Sequence, residues 1–214
     1  MEPEPWVFRK ASEMTERQIR IAVFGAGGHG KVVVDAIEHH PSMLLACVVD
    51  DDPQSVGGLV LGHPVVGGRD ALLSARAEVD GVIIAIGNNR TRLKVGGWLA
   101  GQGFPLSTLV HPSATVAPSA TLGAGTQVMP GAVVNADARI GDNVIVNSGA
   151  IVEHDCTVGD GAHVAPRAVL CGGASVGDAT LIGAGAVVLP GVKIGRGLLI
   201  KAGNIVSKDM VSAE

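Results

Sequence analysis

Tyrosine is absent from this chain of 214 residues, and it has only three Phe and two Trp. The interior is left to small aliphatic residues, a composition that suits a narrow core and tight corners. Cysteine is scarce as well. Cys47, Cys156 and Cys171 are too few and too scattered for a disulfide framework or a zinc cluster. The net charge is −4 and the cations form no basic stripe, which argues against nucleic acid as a partner. No apolar run is long enough to span a membrane. The opening segment, MEPEPWVFRKASE, carries acids and prolines and no signal-like apolar core. The expected location is the cytoplasm. Met14 begins a more ordinary N-terminus, so residues 1–13 read as an extension that contributes little to the fold, with the first domain starting after residue 19.

Glycine, by contrast, is abundant, with 31 residues. From Val110 to Val206 every sixth residue is Val, Leu or Ile, through Val134, Val152, Leu170 and Val188 among others. Four positions later comes a mostly small residue, such as Ala132, Ala150, Cys156 or Ala174. A period of six fits neither a helix nor a simple strand. It fits a chain that turns a corner every six residues and closes after three sides, a hexapeptide β-helix over residues 109–214. The aliphatic residue fills the prism, and the small one points inward beside the corner. Glycine tolerates positive φ at such corners.

Residues 20–108 read differently. Arg20–Phe24 is a short buried strand. Gly25-Ala26-Gly27-Gly28-His29-Gly30 follows, then a helix over Lys31–His40 stopped by Pro41. Strand, glycine turn and helix together make a phosphate-binding G-x-G-x-x-G credible, because the helix N-terminus offers unpaired N–H groups. A second strand, Leu44–Val49, ends in Asp50, Asp51 and Asp52. A third, Gly81–Ile86, ends in Gly87, Asn88 and Asn89, before a helix from Arg90 to Ala100. A last strand near Leu106–Leu109 leads into the repeat. The domain is too small for a full dinucleotide site, so one nucleotide with a group attached fits better than NAD. Gly27, Gly28, His29, Gly30, Asp50, Asp51, Asn88 and Asn89 are its candidate ligand contacts. His29 reads equally as a solvated residue at the helix start.

These segments resemble the bacterial sialic-acid and amino-sugar acetyltransferase family. The matching stretches are GAGGHG at 25–30, VVDDDP at 48–53, IAIGNN at 84–89, HPSATVAPSA at 111–120 and NSGAIVEHDCTVGDGAHVAP at 147–166. The resemblance implies an α/β, Rossmann-like nucleotide-sugar domain followed by a left-handed parallel β-helix. It also implies a homotrimer with active sites between subunits, and acetyl-CoA as co-substrate with no metal. The implied reaction is N-acetylation of the 4-amino group of a nucleotide-linked 4-amino-4,6-dideoxy sugar. GDP-linked perosamine is the first expectation and a UDP-linked bacillosamine-type sugar the alternative; both belong to cell-surface polysaccharide chemistry such as O-antigen and lipopolysaccharide synthesis. Many hexapeptide transferases carry a G-x-P-A-K tail after the last coil, and this sequence has none.

Acetyl transfer to an amine needs a base, a donor to the tetrahedral oxyanion, and two substrates held face to face. His154 sits at an outward position of its hexapeptide, inside the charged cluster Glu153-His154-Asp155. In the resembled family a His followed by an acid here is the base and its helper, which implies His154 as base and Asp155 as the group that orients it. One coil is 18 residues, so Gly172 stacks over His154. Gly172 and Gly173 either expose N–H groups to an oxyanion or are plain corner glycines. His163, nine residues on, cannot share a face with His154 within one subunit. It either touches the acetyl carbonyl or pantetheine arm of a cofactor or is a packed structural histidine. Coenzyme A is expected along later coils, at Gly183-Ala184-Gly185, with Lys201 or Arg196 near its phosphates.

Three other readings compete. One is sialic acid O-acetylation on the same fold. Another is a metal-dependent hydratase, which needs three histidines around a zinc; His111, His154 and His163 have the wrong spacing for it. The third is a non-catalytic scaffold that binds nucleotide sugars.

Overall fold

The computed structural model describes residues 18–211. The expected extension, residues 1–13, lies outside the described residues.

The first domain is built on three parallel strands, in the order β2-β1-β5. Strand β1 is Ile19–Phe24, β2 is Met43–Val49 and β5 is Gly81–Ile84. β1 lies in the centre, and its last four residues, Ile21 to Phe24, are fully buried. That explains their continuous apolar run, since both faces of a parallel sheet are covered. Helix α1 spans Gly28–Glu38, three residues earlier than the sequence predicts. The difference arises because Gly28, His29 and Gly30 are themselves its first turn. Two smaller features are not legible in the sequence: a hairpin of β3 (Leu59–Val60) and β4 (His63–Pro64), and helix α2 (Arg69–Ser74). Helix α3, Asn89–Gly101, is capped by Asn88, whose side chain accepts the Thr91 N–H at 3.0 Å. The expected strand near Leu106–Leu109 is instead a single parallel bridge between Val82 and Leu106. Pro105 has no N–H to offer a ladder, and its carbonyl takes only the Val82 N–H.

Seventeen two-residue strands then wind into a three-sided solenoid, from β6 (Leu109–Val110) through β9 (Gln127–Val128), β12 (Ile145–Val146), β15 (His163–Val164), β18 (Leu181–Ile182), β20 (Lys193–Ile194) and β21 (Leu199–Ile200) to β22 (Ile205–Val206). Strands three apart pair in parallel, so Val134 faces Val152 and Val152 faces Leu170. The aliphatic residue of each hexad and its small companion form one continuous core, in which Ala132, Val146, Cys156, Val164 and Ala186 have no exposed surface. Threonine replaces alanine at two inward positions. Thr126 and Thr180 remain compatible with burial because each hydroxyl donates at 2.7 Å to a carbonyl, Gly141 and Gly195 respectively.

A second period of six runs through the backbone. From Gly125 to Gly203 every sixth residue has φ between 53° and 71°. Most are glycine; Asp137, Asn143, Asp155, Arg167 and Ala179 are the exceptions. Each sits at the corner where the chain changes face.

The three faces differ in what they point outward. The first, with β6, β9, β12, β15, β18 and β21, presents Leu109, Gln127, Ile145 and His163 to the first domain, and Leu109, Met129 and Ile145 join that domain's core. The second presents Val133, Ile151, Val169, Val187 and Ile205, stacked in register. The third presents Thr121, Arg139, Thr157, Ser175 and Lys193. No helix among the described residues is long and apolar enough to cross a membrane.

Candidate active site

A cavity of roughly 450 Å³ opens where the ends of β1, β2 and β5 meet the start of α1. The glycine turn forms its floor, and its four expected glycines divide by role. A Cβ on Gly25 would stand 2.6 Å from the Ala85 carbonyl oxygen, and one on Gly30 would run into the Gly25 carbonyl. Those two are glycine for packing, and Gly30 does not line the cavity. A Cβ on Gly27 or Gly28 would meet nothing within 4 Å. Both line the cavity, so their lack of side chains leaves the N-terminus of α1 bare toward it.

The acids flanking the cavity also divide. Both oxygens of Asp50 are held by backbone, Oδ2 by the Ala26 N–H at 2.6 Å and Oδ1 by the Asp52 N–H at 2.8 Å. Asp50 therefore shapes the glycine turn. Asp51 pairs with Arg69 at 2.9 Å, and the Arg69 guanidinium lies 4.6 Å from the centre of the Trp98 ring. Arg69 and Lys94 both line the cavity. Neither is singled out by sequence reasoning. Lys94 had a signal, because helical spacing puts Thr91, Lys94 and Val95 on one face of α3, and all three line the cavity. Arg69 had none, since α2 itself is not legible. Lys94 and the bare helix terminus suit a diphosphate, whereas the Arg69 charge is already met by Asp51.

Asn88 and Asn89 do not line this cavity. Asn88 is spent on its cap, accepting from both the N–H and the hydroxyl of Thr91. Asn89 donates to the Ala179 carbonyl at 3.0 Å and accepts from Arg92 at 2.9 Å. Within the IAIGNN segment, Ala85, Ile86 and Gly87 thus line the cavity, Asn88 caps α3, and Asn89 serves the joint between the domains.

That joint holds two of the expected site histidines. His29 Nε2 lies 2.9 Å from Gln127 Oε1, and Gln127 Nε2 donates to the Ile84 carbonyl. The glutamine oxygen must accept, so His29 carries its proton on Nε2. Burial pushes its pKa down, with the nearby Arg92 charge adding to the effect. His163 accepts at Nε2 from Asn147 at 3.0 Å and lies beside the Gly87 backbone. Burial, then Arg92 and His29, lower its pKa to about 4. His163 is neutral and enclosed between the domains, on the first face of the prism.

His154 lies elsewhere, at the corner between the second and third faces. It is exposed, and Nδ1 bonds Asp155 Oδ2 at 2.7 Å. That bond is the main cause of a raised pKa. It leaves Nε2 directed away from Asp155 as the free nitrogen. Asp155 takes a positive φ of 60°, the corner conformation. Gly172 is stacked against the imidazole, as the 18-residue coil predicts. The expectation that both glycines expose N–H groups is half met. The Gly173 N–H donates to the His154 carbonyl at 2.9 Å, because corner residues of successive coils are tied by such bonds. The Gly172 N–H makes no such bond. The same distinction holds at the next corner. The Gly185 N–H donates to the Pro166 carbonyl, and that of Ala184 is unused. Ala184, Gly185 and Lys201 are exposed along one edge, whereas Arg196 sits at a different corner, after β20. Among the described residues no group of three or more His, Cys, Asp or Glu is placed to hold a metal ion.

An α/β domain with a cation-lined cavity, docked on a hexapeptide prism that carries a His–Asp pair at one corner, defines an acyltransferase of the nucleotide-sugar class. Comparison with known proteins agrees. Residues 20–99 match the PglD N-terminal domain, and residues 137–172 match the bacterial transferase hexapeptide of six repeats. A GDP-perosamine N-acetyltransferase variant from Caulobacter crescentus, solved with CoA and GDP-perosamine, is 42% identical over 90% of each chain, with a TM-score of 0.85. The acetyltransferase domain of PglB from Neisseria gonorrhoeae, solved with acetyl coenzyme A, is 37% identical over 91% of this chain and 94% of that one, with a TM-score of 0.85. The UDP-N-acetylbacillosamine N-acetyltransferase of Bacillus subtilis (strain 168) is 38% identical over 110 residues, half of each chain. The chain belongs to the family of hexapeptide-repeat sugar N-acetyltransferases that contains these proteins.

Proposed function

We propose that the protein moves acetyl from acetyl-CoA to the 4-amino group of a GDP-linked 4-amino-4,6-dideoxy sugar, perosamine in the first instance. The observation that carries this reading is the pairing of a cavity of roughly 450 Å³, lined by Arg69, Lys94 and the start of α1, with a His–Asp dyad on one polypeptide. The relative that holds GDP-perosamine is 42% identical, against 37% for the PglB domain over a similar share of both chains, and this difference in identity is what supports the GDP-linked sugar.

In this reading Gly27, Gly28 and Lys94 hold the diphosphate, and Asp51 with Arg69 sits at the base end. His154 Nε2 takes a proton from the attacking nitrogen, while Asp155 holds the ring and steadies its charged form. The Gly172 N–H donates to the oxyanion as nitrogen adds to the thioester carbonyl. Collapse of that intermediate expels the coenzyme A thiolate, which takes up a proton. Coenzyme A lies along the edge of Ala184, Gly185 and Lys201.

The protein assembles as a homotrimer. The aliphatic ladder of the second face supports this, since its neighbour, the third face, is polar and the first domain packs on the first face at Leu109, Met129 and Ile145. His154 stands at the margin of that ladder, so a second copy completes the cleft around it. The test is a panel of nucleotide-linked 4-amino sugars with acetyl-CoA, scored by a mass gain of one acetyl group. No acetylated product from any GDP- or UDP-linked 4-amino sugar would sink the reading.

A further inference from the structure

One buried cation remains outside this chemistry. Arg92 has no exposed surface. Among the described residues no carboxylate meets it, and its hydrogen-bond partners are neutral oxygens. Its Nη1 donates to the carbonyls of Ile86 at 2.8 Å and Gly87 at 3.2 Å, both in the wall of the nucleotide cavity. Its Nη2 donates to the carbonyls of Gly161 at 2.9 Å and Ala162 at 3.1 Å, in the turn that leads into His163. Its Nε donates to the Asn143 carbonyl at 2.8 Å. One rigid, planar fork thus grips the cavity wall on one side and two coils of the prism on the other. A lysine ammonium, a single point on a flexible stem, cannot span these acceptors.

A purely structural joint would not need an ion here, because taking a charge out of water is costly and well-packed apolar side chains commonly hold such a joint as firmly. A fork, however, fixes orientation as well as distance. We propose that Arg92 is a positioning residue for acetyl transfer, setting the nucleotide cavity against the prism so that the bound sugar reaches the acetyl group; this rests on the nucleotide-sugar reading above. The charge has a second effect, on the groups that face it. His29 on α1 and His163 on β15 are the titratable groups beside it, each otherwise beside neutral groups, Gln127 for the first, Asn147 and the Gly87 backbone for the second. Arg92 helps keep both uncharged.

The experiment compares wild type with Arg92→Lys and Arg92→Met in the full-length protein. It measures calorimetric binding of GDP and UDP, kcat and KM for both substrates, and the NMR titration of His163. Wild type is measured first. If it binds neither nucleotide and acetylates no nucleotide sugar, the functional reading fails and the positioning role with it. Given an active wild type, nucleotide Kd and the KM for acetyl-CoA should stay within about threefold. The kcat should fall on the order of 10²-fold, as expected of a misplacement near 1 Å. The His163 midpoint should rise in Arg92→Met and stay low in Arg92→Lys. Arg92→Lys carries the kinetic test by itself if Arg92→Met does not fold. Unchanged kcat, a loss of kcat only in step with lost nucleotide binding, or an unmoved His163 midpoint in Arg92→Met would each overturn the proposal.

Discussion

Gly172 lies directly against the imidazole of His154: a Cβ at position 172 would stand 2.6 Å from both Cε1 and Nε2. The glycine therefore does two things at once. It leaves room for the ring, and its N–H is free of the bonds that tie the coils together. Gly172 has no positive φ, so alanine suits its backbone. Gly172→Ala should thus push the imidazole aside and lower kcat by about 10- to 100-fold, with little change in thermal stability. Gly173→Ala should do the reverse, because Gly173 has φ +69° and makes a structural bond. Its expected cost is about 1 kcal/mol of stability. Differential scanning calorimetry with steady-state kinetics separates the two. Full activity in Gly172→Ala would remove that glycine from the site.

Replacing the base is the direct test of the dyad. His154→Asn should lose kcat by about 10²–10⁴-fold with little change in either KM. The wild-type rate should fall on the acid side as the imidazole gains a proton. Asp155 raises that pKa, so the acid limb should lie above the ordinary histidine value and move down in Asp155→Asn. A His154→Asn enzyme that keeps the same acid limb would mean that the proton acceptor is another group.

The cavity is open above Gly28, so a large side chain there occupies ligand space without disturbing the protein. Gly28→Trp and Asp51→Ala should raise the KM for the sugar nucleotide at least tenfold. The KM for acetyl-CoA should stay nearly constant. Equal loss of both affinities would show that the cavity is misassigned.

Assembly can be tested one face at a time. Val169→Glu places a charge in the middle of the aliphatic ladder and should dissociate the trimer. Thr157→Glu, on the polar face, should leave it intact. Light scattering reads both masses. An active wild-type monomer at micromolar concentration ends the trimer proposal.

Acid should loosen the molecule through His163. Its folded pKa is depressed from 6.5 to about 4. Above 6.5 the ring is neutral in both states and the stability is intact. Below 6.5 the unfolded chain takes up the proton first, so stability falls until the folded form titrates near 4. The loss is on the order of 3 kcal/mol at most. His163→Gln should lower stability at neutral pH and flatten this slope. Denaturation midpoints measured from pH 7.5 to 4 would show no difference in slope if His163 were freely solvated.

The sequence by itself determined the prism. One aliphatic and one small residue per hexad suffice, because each hexad's structure depends only on itself and on its neighbours one coil away. The same periodicity placed Gly172 on His154 without any coordinates, and the strand–glycine–helix order located the cavity of the first domain. What only tertiary structure decided is the joint between the domains. Asn88, Asn89 and His163 stand in segments that read as site residues, yet their side chains serve a cap and an interdomain seam. Arg92 passes for a solvated helix charge until the prism closes over it. Its acceptors on the prism are backbone carbonyls as far as 70 residues away in sequence, and a carbonyl carries no mark in the sequence of what it will bind. Arg69 was hidden for the same reason: its partners Asp51 and Trp98 come from other elements. Local order and short repeats are written along the chain, whereas contacts between distant elements exist only once the fold has brought them together.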